Sequence, residues 1–173
     1  MPDAKELLEV EDPAVEVLTQ HLGWKEIDTK KAEQMRESLK HVILTDPLLS
    51  AIKRLNPWIS EDNAQRVVRA IASVQATSVI EANEKLHGML ERGTTVLQDL
   101  GDGLGKKSQD VLLIDCQHPE NNQFNVVRQF RVLNYKENIP DLVLFINGLP
   151  VVVIECKSPT LRTPMEEGLT QVF

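Results

Sequence analysis

Three features of the sequence predict an α/β fold in which a mixed, largely antiparallel sheet carries a helical layer. Up to about residue 93 apolar residues recur at helical spacing, and from Val111 they shift to strand spacing. The third feature is a hairpin. Leu142 to Ile146 and Val151 to Ile154 are apolar runs too short for helices, and Asn147-Gly148 between them accepts positive φ at a tight turn. Nearly every position in the pair is apolar, so the hairpin is expected to be central and covered on both faces.

Taken in order, residues 1 to 11 read as an acidic lead-in containing Glu6, Glu9 and Glu11. Asp12 as N-cap, Pro13 at the first helical position and Gly23 as stop predict a short helix from Asp12 to Leu22, with Val15, Leu18 and Leu22 as its apolar stripe. Thr29 caps a second helix, Lys30 to Leu44. Asp46-Pro47 opens a third through Leu55, and Ser60 caps a fourth to roughly Ala76. Ser78 with Glu81 is a capping box for a fifth, ending at Arg92 before Gly93. Gly101 to Ser108, GDGLGKKS, lacks phosphate-loop spacing: three residues, not four, separate Gly101 from Gly105, and Gly105-Lys106-Lys107 breaks the ending. Residues 94–109 therefore read as a loop, and no ATP site is expected in this chain. Val111 to Cys116 and Phe124 to Val132 read as an antiparallel pair joined by QHPENNQ, and Pro164 opens a helix from Met165.

A chain of 173 residues suits one core, so a single domain is expected: helical over about 12–93, loop over about 94–109, sheet and hairpin over about 110–157, and the start of a helix over about 164–173. No long apolar run and no basic-then-apolar amino terminus point to a membrane span or a secretion signal. Cys116 and Cys156 lie in apolar strand contexts, which reads as reduced, buried and cytoplasmic. The four histidines show no paired metal spacing, and Trp24 and Trp58 read as packing anchors. Net charge is -7, spread unevenly: residues 1–105 hold 12 basic and 18 acidic side chains, residues 106–173 hold 7 and 8. Affinity for DNA comes mainly from Lys and Arg, so strong DNA binding by this chain alone is not expected.

The chemistry concentrates at the open end of the hairpin. Folding it about Asn147-Gly148, or about Asn147 to Pro150, sets Asp141 opposite Ile154 or Cys156, and so beside Glu155. Buried carboxylates need a partner, and a divalent cation is one that Asp141, Glu155 and the backbone carbonyl of Cys156 could hold with hard oxygen ligands, waters and phosphate completing an Mg²⁺ shell. Lys157, two residues from Glu155, shares its face and could steer an attacking water or steady phosphate charge. The plainer reading has Asp141 capping a turn after Pro140 and Glu155 ion-paired with Lys157. Arg128 and Arg131 read equally as phosphate contacts or surface charges; Gln129 could face the site, with a surface glutamine as the plainer reading.

Pro140-Asp141, thirteen residues, then Glu155-Cys156-Lys157 resembles the PD-(D/E)xK nuclease signature. INGLPVVVIECKSP, together with VEDPAVEVLTQHLGW, RLNPWIS, EANEKLHGMLERG and DCQHPENNQFNVVRQF upstream, resembles the amino-terminal nuclease region of the restriction (R) subunit of type I restriction-modification enzymes. The resemblance implies a restriction-endonuclease-like core, Mg²⁺-dependent cleavage of double-stranded DNA, and Asp141, Glu155 and Lys157 as catalytic residues. It also places Glu11 near the site, with Glu16 as a helix-facing alternative; the residues themselves read Glu11 equally as a first-turn acid favoured by the helix dipole. Gln171 matches the glutamine of a QxxxY element, and with the chain ending at Phe173 a fragment of a longer subunit is expected. The full subunit would add an ATP-driven DNA translocase and bind specificity and methylation subunits. The rival readings are a catalytically silent docking or DNA-binding module on the same fold, and another enzyme on that core, such as a junction resolvase or repair exonuclease.

Overall fold

The computed structural model describes residues 7–73, 79–99, 101, 103, 105–133 and 136–157. The chain divides into two compact units, Met1–Leu44 with Phe124–Phe173, and Thr45–Gln123.

The first unit opens with helix α1, in consecutive stretches Leu7–Glu11, Asp12–Glu16 and Val17–His21, the outer two with the wider π-type hydrogen bonding. The helix starts before Asp12 because Val10 packs into the same core cluster as Val15 and Leu18; Glu11 is already helical, so Asp12 is not a cap. Strand β1 (Lys25–Ile27) leads to helix α2 (Thr29–Gln34), whose N-cap is Asp28 rather than Thr29. The Asp28 carboxylate accepts from the backbone N–H groups of Lys30 and Lys31, and the Thr29 hydroxyl donates to the Arg128 carbonyl. The helix expected to reach Leu44 stops at Gln34. Arg36 turns inward there, donates to the carbonyls of His41 and Arg131, and lies 4.1 Å from the centre of the Phe130 ring, contacts a continued helix does not provide.

Strands β4 (Phe124–Arg128), β7 (Leu142–Ile146) and β8 (Leu149–Ile154) join β1 in a four-stranded mixed sheet of order β1-β4-β7-β8. The β1/β4 pair is parallel and the other two are antiparallel, the mixed and mostly antiparallel sheet expected. A short hairpin, β5 (Val132–Leu133) with β6 (Glu137–Asn138), projects between β4 and β7 in the chain. Phe124 does not begin a strand paired with Val111 to Cys116; its strand pairs with β1 and β7, and it ends at Arg128 because Gln129 takes φ +48°.

Alternation along the strands makes two cores. Leu142, Leu144, Val126 and Cys156 pack with Val15 and Leu18, whereas Val143, Phe145 and Val127 pack with Ala32, Leu44 and Phe130. Edge-to-face ring pairs, Trp24 on Phe124 and Phe130 on Phe145, each have centroids 5.2 Å apart. Burial on both faces holds for β7 but not for β8. With a paired neighbour on one side only among the described residues, β8 leaves Val151, Val152 and Val153 between 36% and 50% exposed.

In the second unit, helices α3 (Thr45–Leu55), α4 (Glu61–Ala72) and α5 (Val79–Arg92) accompany a hairpin, β2 (Thr94–Asp99) with β3 (Lys106–Val111). Ser60 caps α4 by accepting from the Asn63 N–H. The stretch read as a loop is thus a six-pair antiparallel ladder with its glycine-rich part at the tip. Two buried asparagines hold it: the Asn63 amide donates to the Leu97 carbonyl, and Asn56 both donates to and accepts from the backbone of Leu112. Cys156 is buried as expected, but Cys116, in the turn-rich segment after β3, is exposed. Among the described residues no helix is long and apolar enough to cross a membrane.

Candidate active site

The site grows from one irregularity in the β7–β8 hairpin. Asn147 and Gly148 take φ of +53° and +83°, the left-handed pair a two-residue hairpin turn needs, and the Leu44 N–H fixes the turn by donating to the Gly148 carbonyl. The ladder begins Ile146↔Leu149 and Phe145↔Pro150 and continues Leu144↔Val152, so Val151 is an extra residue, a β-bulge. Beyond it the pairs run to Leu142↔Ile154, and one further step sets Asp141 across from Glu155.

Neither register expected from the turn gives that pairing. Asp141 opposite Ile154 or Cys156 would place Glu155 and Lys157 on the other side of the sheet from Asp141, because opposed residues share a face and neighbours alternate. The bulge corrects the parity. Ile154 and Cys156 enter the core cluster of Leu142, which leaves Glu155 and Lys157 alternating to Asp141's side.

Asp141 is buried and fixed at both oxygens. Its Oδ2 accepts from the Cys156 backbone N–H at 2.7 Å, and its Oδ1 accepts from the Gln129 side-chain amide at 3.1 Å. The same amide nitrogen reaches Glu11 Oε2 at 3.4 Å, so one glutamine links two carboxylates from distant parts of the chain. Gln129 is also tied by its backbone, its N–H donating to the Asp141 carbonyl at 2.7 Å. Its left-handed backbone costs a non-glycine residue about 1 kcal/mol. Glu155 and Lys157, both mostly buried, face each other with Oε2 and Nζ 4.0 Å apart.

Glu11 is only 1% exposed. Burial pushes its carboxyl above the usual carboxylate range, the Arg128 guanidinium opposes that, and the negative charge of Asp141 adds to it. Arg128 in turn contacts three acids: Asp12 at 2.6 Å, Glu26 at 2.8 Å and Glu11 at 3.3 Å. Burial lowers its pKa, but the Asp12 hydrogen bond and the fields of Glu26 and Asp12 outweigh that and raise it overall.

The structure therefore brings Glu11 and Asp141 together through Gln129, and aligns Glu155 and Lys157 across the hairpin from Asp141. Gln171 lies outside the described residues, as does the helix expected from Met165. Of the open readings nearby, Gln129 takes the site-facing one, Arg128 is engaged by acids, and Arg131 is a partly exposed charge 3.3 Å from Glu33 and 3.6 Å from Glu137. Sequence reasoning missed the linking role of Gln129 because nothing local announces that a strand will end in a left-handed residue. Among the described residues no group of three His, Cys, Asp or Glu side chains stands close enough to hold a metal ion on its own.

Residues 4–173 match the family model described as the type I restriction enzyme R protein N terminus. A putative type I restriction enzyme MjaIXP endonuclease subunit of Methanocaldococcus jannaschii is 35% identical over 128 residues, covering 72% of this chain and 12% of that protein. The type I restriction enzyme HindI endonuclease subunit of Haemophilus influenzae is 30% identical over 147 residues, covering 81% and 14%. A second M. jannaschii protein, the putative MjaVIIIP endonuclease subunit, is 29% identical over 153 residues, covering 87% and 14%. The chain thus spans 12–14% of the length of these relatives. With a match along nearly its whole length, the chain belongs to the type I restriction enzyme R protein N-terminus family.

Proposed function

We propose that this chain is the Mg²⁺-dependent endonuclease domain of a type I restriction enzyme R subunit and hydrolyses phosphodiesters of double-stranded DNA. The observation that carries the reading is the bulged register that sets Asp141 across from Glu155, with Lys157 two residues further on, in a chain of this family. The donor set suits a hard cation. Asp141, Glu155 and the Cys156 carbonyl are all oxygen ligands, and Mg²⁺ binds through one or two carboxylates with waters and substrate phosphate, so no larger side-chain cluster is required. Among the described residues each oxygen of Asp141 has one N–H partner and keeps a further lone pair for a ligand.

When bound, Mg²⁺ would polarise the scissile phosphate and acidify a water. The chain's own residues do the rest. The Cys156 N–H and the Gln129 amide hold the Asp141 carboxylate in one orientation. Lys157, kept near Glu155, places a positive charge where the attacked phosphate gains negative charge. Glu11 belongs to the same carboxylate group and adds acceptor capacity for a water. Gln171 would complete the site from the helix expected after residue 164. ATP-driven translocation along DNA, association with specificity and methylation subunits, and a cytoplasmic location come with the R-subunit reading.

The test is plasmid cleavage with Mg²⁺ and ATP by the full-length subunit with its partners, comparing wild type with Asp141→Ala and Lys157→Ala. Cutting should be lost in both variants while ATP hydrolysis continues. Cutting at wild-type rates in both would remove the nuclease assignment and favour a docking module.

A further inference from the structure

We propose that Gln129 is a positioning residue for this site: its side-chain amide sets the separation and orientation of the Glu11 and Asp141 carboxylates, and so presents Asp141 ready to take Mg²⁺. This rests on the nuclease reading above and adds to it a residue that touches neither metal nor DNA.

Two buried carboxylates brought toward one another repel, and without a shared donor they separate or take up a proton. Gln129 is that donor, with Nε2 at 3.1 Å from Asp141 Oδ1 and 3.4 Å from Glu11 Oε2. An amide nitrogen has two hydrogens, so both contacts can be made at once. The backbone directs the side chain there. The left-handed conformation at the end of β4 ends the strand, and the Gln129 N–H binds the carbonyl of Asp141 itself at 2.7 Å. One residue thus grips Asp141 by main chain and carboxylate together, while the Cys156 N–H holds the remaining oxygen. Groups that orient a metal-binding carboxylate in this way tune its affinity for the metal. Because its second partner is Glu11, Gln129 also ties the amino-terminal helix to the hairpin.

The substitutions that isolate this role are Gln129→Asn and Gln129→Gly. Both residues accept a left-handed backbone, so β4 ends as before; the asparagine amide is one methylene too short to link the two acids, and glycine has none. Two titrations on the full-length protein read the effect: Mn²⁺ binding without ATP, followed by electron paramagnetic resonance of free Mn²⁺ at the site that Asp141→Ala removes, and DNA cleavage against free Mg²⁺ at fixed ATP. Both variants should weaken Mn²⁺ binding and raise the half-saturating Mg²⁺ for cleavage by about 10–100-fold. The maximal cleavage rate should return at saturating Mg²⁺, and the Mg²⁺ dependence of ATP hydrolysis should not move. Wild-type half-saturation in both variants, or a cleavage defect that excess Mg²⁺ does not restore, overturns the role of Gln129 and leaves the nuclease reading standing. If Asp141→Ala keeps its Mn²⁺ site and its cleavage, the nuclease reading falls and this inference with it.

Discussion

Replacing Arg128 with methionine should cost far more stability than removing an ordinary surface ion pair, and the structure says which of its three partners is responsible. Asp12 and Glu26 have side chains 44% and 43% exposed, so they return to water when the guanidinium is lost. Each is worth at most about 1 kcal/mol. Glu11, at 1% exposure, has no water to return to and is left as a buried charge, a loss of about 3 kcal/mol at the low end of what breaking a buried pair costs, because the Gln129 amide still donates to its other oxygen. The sum is about 3–5 kcal/mol for Arg128→Met at neutral pH. Urea unfolding of the metal-free protein, followed by tryptophan fluorescence, measures it, and Glu11→Gln with Arg128→Met closes a double-mutant cycle. The double variant should recover about 2 kcal/mol of the loss. The pH dependence has a definite sign. The Glu11 pKa is raised above 4.5 in the fold, so the folded state binds more protons than the unfolded chain from about 4.5 upward, and stability falls as pH rises through that window. Arg128 restrains that rise; without it the window widens, so the cost of Arg128→Met should shrink as pH falls toward 4.5 and grow toward neutrality. A cost below about 1 kcal/mol at pH 7, or no coupling in the cycle, would refute the view that Arg128 serves chiefly to neutralise Glu11.

Deleting Val151 removes the bulge and reverses the faces of everything beyond it. DNA cleavage should be lost, and Cys156, buried in the native fold whereas Cys116 is exposed, should become reactive to a thiol reagent; continued protection of Cys156 would count against the bulge as the cause. Asn56→Ala strips both backbone groups of Leu112 of their side-chain partners. It should destabilise the protein by about 2–3 kcal/mol in urea titration, and a loss within error of zero would mean that water replaces the amide. Gly148→Ala forces a Cβ into φ +83°, so about 1 kcal/mol of stability should be lost with Mg²⁺ half-saturation unchanged, as read by thermal unfolding and cleavage assays side by side.

What the sequence could say depended on how local the determinant was. The Asn147-Gly148 turn, the Ser60 cap and the helix ending at Arg92 before Gly93 are written in a few adjacent residues and could be read directly. Residues 94–109 could not, because the strands there are polar on most positions and their ladder is held by Asn63 on a helix some thirty residues earlier in the chain. The helix expected to Leu44 failed for the same reason: Arg36 is bound by the carbonyl of Arg131, ninety-five residues away. The site shows both cases at once. Asp141, Glu155 and Lys157 stand out as candidates from residue type and spacing. Their shared face is not, since it depends on a bulge within a run of near-identical valines, where no residue type marks the extra one.

The charge around the hairpin also bears on how such a site would work. Glu11, Asp12, Glu26, Asp141 and Glu155 gather around two cations, and both are engaged: Arg128 by three of the acids, Lys157 beside Glu155. A DNA phosphate arriving here meets an acidic surface on a chain of net charge -7. Affinity for DNA comes from free Lys and Arg groups neutralising phosphates, and this site offers none among its described residues. On the nuclease reading, the hairpin therefore contributes chemistry and not affinity, and the cation that completes it is also what lets phosphate approach. On the same reading, an acidic site of this kind would act only where other surfaces hold the duplex in place.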